Sequence, residues 1–163
     1  MIFRIAAAVL DAWLRLGRLR RRVTLWLGGG WAALPAEPLA RLVLLGCGLA
    51  PDGGVDRTVP GPAGVGVRLV EDPRLARYLD LMPVRPYAQT VGRYVLCRER
   101  LPEATLRHEL EHVRQWRRLG PLFLPAYLAA SGLARARGGD SYRDNRFERA
   151  ARARERCPTI SGG

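Results

Sequence analysis

The 163-residue sequence contains no lysine, so its 27 basic side chains are all arginine; set against 15 acidic residues they give a formal charge of +12. Cysteine is scarce: Cys47, Cys97 and Cys157 form an odd, widely spaced set with no C-x-x-C. This excludes a disulfide framework and a cysteine zinc knuckle, and it points to a reducing, cytoplasmic compartment. Long apolar runs are also missing. No stretch reaches the roughly 18 uninterrupted residues that a spanning helix needs, and Ile5 to Leu10 is too short for a secretory signal before Asp11 interrupts it. Leu44 to Cys47, LLGC, has the outline of a lipoprotein cleavage site, but Arg41 leaves only four apolar residues before Cys47. Histidine occurs twice and internal repeats not at all.

What is present is 48% apolar content, enough for one domain to bury a core without staples, with room for an appended arm. Residues 2–27 have helical periodicity. Arg4, Asp11, Arg15, Arg18 and Arg22 lie on one stripe, and Ile2, Ile5, Ala6, Val9, Trp13 and Leu16 lie opposite. The pattern predicts a basic amphipathic helix, able to lie on an anionic membrane or to pack on its own domain. Gly28 to Gly30 stops it, and Pro38 to Leu49 predicts a second short apolar helix, so residues 1–50 read as a helical arm. Pro51 to Gly64 is dense in glycine and proline and reads as a linker.

Beyond the linker, Val65 to Val70 alternates as a strand with Val67 and Leu69 on one face, and Asp72-Pro73 opens a short helix to about Leu81. Thr90 to Cys97 predicts a second strand. Pro102 suits the first turn of a helix running to Leu119, where Gly120-Pro121 stops it. Phe123 to Leu133 is a further apolar helical segment. Ser141 to Asp144 has capping-box spacing before a last helix that ends near Cys157-Pro158, leaving 158–163 as a tail.

Both histidines fall in RHELEHVRQW, Arg107 to Trp116. His108 and His112 are one helical turn apart and project from the same face, so their ring nitrogens can share one zinc ion. Glu109, rotated about 100° from His108, can reach a metal-activated water without being a ligand. With two histidines and eight glutamates, this placement arises by chance on the order of once in a thousand chains. A third protein ligand is required. Gln115 and Arg118 exclude the metzincin extension, and no further histidine exists. Glu148 is the best placed candidate, on the following helix with Asn145 one turn before it; Asp144 and Cys157 are weaker alternatives.

His108 to Gln115, HELEHVRQ, followed by Asn145 to Ala151, NRFERAA, resembles the small gluzincin metallopeptidases, which pair an H-E-x-x-H-x-x-Q helix with an N-x-F-E-x-x-A helix. The likeness extends over about Val65 to Arg156. It implies an α+β, zincin-like domain over residues 65–157, with His108, His112 and Glu148 as Zn²⁺ ligands and Glu109 as catalytic base. Gln115, Asn145, Tyr127 and Tyr142 are possible supporting residues, the tyrosines near a developing oxyanion. Gluzincins often place an acid four residues after the ligand glutamate to hold a ligand histidine; here that position is Arg152.

The expected function is zinc-dependent hydrolysis of a peptide or protein substrate, with the strand Arg93 to Leu96 pairing with the extended substrate. The other class compatible with the charge is a non-catalytic arginine-rich protein binding nucleic acid or anionic membrane, its metal site structural or vestigial. The expected location is cytoplasmic, with peripheral membrane association through the arm; deleting residues 1–27 would then weaken binding to anionic vesicles. The sequence leaves the oligomeric state open.

Overall fold

The computed structural model describes residues 36–50, 57–82 and 84–156. The amphipathic segment 2–27, and with it the vesicle-binding expectation, lies outside them, as does Cys157. Five helices and a four-stranded sheet make an α+β fold among the described residues. In chain order they are α1 (Ala36–Gly46), β1 (Arg57–Pro60), β2 (Gly66–Glu71), α2 (Leu75–Asp80), β3 (Ala88–Val91), β4 (Tyr94–Cys97), α3 (Glu103–Leu119), α4 (Phe123–Ala136) and α5 (Arg146–Glu155). No described helix is long and apolar enough to cross a membrane.

The sheet order is β1-β2-β4-β3, with β2 and β4 parallel and the outer pairs antiparallel. Tyr94 and Leu96 belong to one core cluster, with Leu44, Leu79, Trp116 and Phe147, while Val95 and Cys97 join Val67, Leu69 and Val113 in another. Both faces of β4 are therefore covered, as its uninterrupted apolar run Tyr94 to Cys97 requires of a central strand.

Four expectations change. Residues 57–60 are not linker but strand β1, paired from Arg57↔Leu69 to Pro60↔Gly66; Pro60 is tolerated because β1 is an edge. Residues from Ala36 onward are not arm, since Ala36, Ala40 and Leu44 are buried in the core. The predicted strand Thr90 to Cys97 is a hairpin, with Val91 opposite Tyr94 across Gly92-Arg93. Finally, β4 is interior, so Arg93 to Leu96 cannot take up a substrate strand; β3 is the outer strand on that side. Leu75 to Asp80, Glu103–Leu119 and the α4 segment otherwise fall close to their predicted places.

The hairpin turn fixes where α1 begins. Gly92 has a φ of 64°, and a Cβ built on it would stand 2.6 Å from the Ala36 Cβ. Arg93 pairs with Glu37 in the same corner. Gly92→Ala would combine left-handed backbone strain with overpacking, and is expected to lower unfolding free energy by about 2–4 kcal/mol. A urea midpoint unchanged from the parent would contradict this reading of the corner.

Candidate metal centre

Helix α3 lies against α5, and its buried residues include His108, Glu109, Glu111, His112, Val113, Gln115 and Trp116. Burying this many polar side chains on one helix is costly unless each is satisfied. Glu111, the charged residue in the middle of the histidine motif, is taken up by Arg114 and by Arg154 of α5, whose Nε lies 3.5 Å away. It therefore helps dock the two helices and is not a solvated position.

The histidines face Glu148 of α5. His108 Nε2 and His112 Nε2 are 3.2 Å apart, and each lies 3.4 Å from one oxygen of the Glu148 carboxylate. Donors at about 2.0–2.2 Å from a shared ion, at the tetrahedral angle, stand roughly 3.3–3.5 Å from one another, so this spacing matches a common coordination shell. Glu148 is 3% exposed and its Oε2 is buried without a hydrogen-bond partner; such an orphan calls for an unseen partner. The three residues form the one group of metal-capable side chains among those described. Asp144, the weaker alternative, is exposed, and its Oδ2 instead accepts the Asp140 N–H.

The far sides of the imidazoles are held as metal-bound histidines are held. His112 Nδ1 lies 2.9 Å from the Gln115 Oε1, and the Gln115 amide donates to the Phe147 carbonyl at 3.0 Å. Gln115 accepts at that oxygen, so Nδ1 carries the hydrogen and, in the neutral ring, Nε2 presents its lone pair to the centre. His108 Nδ1 faces the Glu155 carboxylate at 3.4 Å. Two lone pairs and a carboxylate turned on one point repel each other unless a cation lies among them. Burial pulls the His112 imidazolium toward neutrality, but Glu148, Glu109 and Gln115 outweigh it and raise its pKa to about 9. Burial likewise pushes Glu148 up, yet His108, His112 and Tyr127 hold it well below the usual carboxylate range. The centre demands positive charge, which a proton or a metal ion can supply.

The supporting residues are drawn in around it. Tyr127 donates to Glu148 Oε1 at 2.8 Å, and burial and then Glu148 push its pKa up. Tyr142 lines the same cleft and is pushed up in the same order of causes. Asn145 is the N-cap of α5: its side chain accepts from the Phe147 N–H at 2.9 Å and donates to Ser131 Oγ and the Tyr127 carbonyl. The cap thus falls at Asn145, not at the Ser141 capping box, because residues 140–144 form a turn in which Asp140 accepts from the Tyr142 and Arg143 N–H groups. Arg152 points from α5 toward Glu148 Oε2 at 3.8 Å and donates to the Arg143 carbonyl.

Two participants have no signal in the motif. Thr90 of β3 donates to Glu109 Oε2 at 2.6 Å, and its own carbonyl accepts from the Trp116 indole at 3.2 Å. Glu155, seven residues after Glu148 and so on the same face of α5, brings an acid to His108 that Arg152 does not supply. The only visible hint was helical spacing at i+7. A cleft of about 440 Å³ opens onto Glu109 and the three metal-capable side chains, bordered by β3, by Met82, Val84 and Pro86, and by α4. Comparison with protein-family models, curated proteins and solved structures finds no match to this chain.

Proposed function

We propose that the chain is a zinc-dependent metallopeptidase of zincin-like architecture, with His108, His112 and Glu148 holding the ion and Glu109 acting as general base. The observation that carries this reading is the convergence of three buried donors at coordination spacing on the floor of an open cleft. Three protein donors facing a cleft suit a catalytic site, whereas a structural zinc site is closed by four. Zinc is favoured among metals by two imidazoles and one carboxylate.

When bound, zinc supplies Lewis acidity toward a carbonyl oxygen and toward water. The protein supplies the rest. Glu109 is fixed through Oε2 by Thr90, which leaves Oε1 to take the water's proton and pass it to the departing amide nitrogen. The Gln115 and Glu155 contacts keep both imidazoles turned inward. Tyr127 fixes Glu148, and Tyr142, kept protonated by its raised pKa, is a hydroxyl able to donate to a developing oxyanion.

The test is metal content together with hydrolysis. The purified protein is expected to hold about one zinc ion per chain and to cleave an unfolded protein, with a chelator removing both properties. A chain fully loaded with zinc that leaves a degenerate peptide library uncut would sink the peptidase reading and leave the non-catalytic one.

A further inference from the structure

We infer that the cleft selects an extended peptide segment bearing a large apolar side chain and rejects charged ones; this rests on the cleft being a peptide site. In a chain with 27 arginines, none of those described is among the residues lining this cleft. Arg152, whose Nη1 lies 3.8 Å from Glu148 Oε2, is engaged by the Arg143 carbonyl and lies over the Tyr142 ring. The arginines gather elsewhere: a separate groove of about 490 Å³ is lined by Arg137, Arg146 and Arg149.

The cleft walls are apolar on both sides. Met82 and Val84 stand on the approach to β3, and Phe123, Leu124 and Leu128 on α4. Leu124 and Leu128 are one turn apart and share a face, and with Val84 they are exposed, Leu128 by 67%. Such side chains gain most when a matching apolar group covers them.

Against these walls a charged side chain would lose its water and find no counter-charge. No described arginine lines the cleft to meet an acid, and the two carboxylates that line it, Glu109 and Glu148, lie on its floor beside the imidazoles, one oxygen of each held by Thr90 or Tyr127. Ala88 to Thr90, from the outer strand β3, line the same cleft and suit an extended main chain.

The test uses the zinc-loaded, full-length Glu109→Gln protein and fluorescent hexapeptides that differ at one central residue, leucine, phenylalanine, aspartate or arginine. Anisotropy is expected to show the leucine and phenylalanine peptides bound at least roughly tenfold more tightly than the charged ones. The double variant L124D/L128D, altered only at exposed positions, should reduce that preference to less than about threefold and favour arginine over aspartate. Equal or tighter binding of the charged peptides, an unchanged preference in the double variant, or no binding of any peptide would overturn the inference. Cleavage by the parent protein separates the two levels. Selective binding without cleavage removes the peptidase reading and keeps the apolar selection, while cleavage without selectivity does the reverse.

Discussion

Glu109→Gln is expected to leave zinc bound and the fold intact while lowering peptide hydrolysis by about 10²- to 10⁴-fold, the range a positioned general base contributes. Glutamine has the shape of glutamate and its carbonyl oxygen can still accept from Thr90 Oγ1, so the helix and the cleft floor need not move. What it cannot do is accept a proton at neutral pH. Glu109 also lies outside the group of donors that converge on the metal position, so zinc affinity has no reason to change. Measuring zinc content and turnover on the same preparation separates the roles. Zinc lost together with activity would make Glu109 a ligand, and turnover within a few-fold of the parent would remove it from the mechanism.

Glu148→Ala should act on the metal itself. It leaves two imidazoles and no carboxylate, so zinc affinity is expected to fall by roughly 100-fold or more, with activity partly recovered in excess metal. A pH signature accompanies this. In the parent, His112 has its pKa raised to about 9, so near neutrality zinc must displace a proton, and apparent affinity should rise as pH rises toward 9. Glu148 provides much of that elevation and burial opposes it. Removing the carboxylate should therefore move the pH dependence to lower values. Calorimetry in buffers of different ionisation enthalpy would read the released proton directly. Full zinc affinity in the variant, or a pH dependence that does not move, would place the third ligand elsewhere.

The parts of the centre that lie on one helix were legible in the sequence because helical geometry is local. Four residues return a side chain to the same face, which placed His108, His112 and Glu109 without any tertiary information. Gln115 is equally local to His112. Glu148 required a second helix to pack beside the first, and the sequence alone left Asp144 and Cys157 open. Thr90 was hidden because its contact with Glu109 depends on the hairpin register. The Gly92-Arg93 turn was read as continuous strand, since alternation of side chains does not announce a two-residue reversal. β1 was hidden by its glycine- and proline-rich surroundings, which an edge strand tolerates and a central strand would not. Glu111 gave no sign of its place: a charge mid-motif is ordinarily solvated, yet two arginines allow it to be buried against α5.

The order of the metal-capable residues along the chain has a consequence for how the protein can vary. His112 and Glu148 bracket all of α4 and the turn at 137–144, so the chain between them is a closed excursion pinned at both ends. The cost of holding such an excursion grows only with the logarithm of its length, about 0.6 kcal/mol per doubling. The turn is largely exposed, and its own bonds, from Asp140 and Asp144, are short-range. Ser141 and Tyr142 from this turn reach the cleft. Insertions there would reshape the rim at little thermodynamic expense while the pinned ends stay in place, making this turn the segment through which the shape of the cleft can diverge without rebuilding the centre.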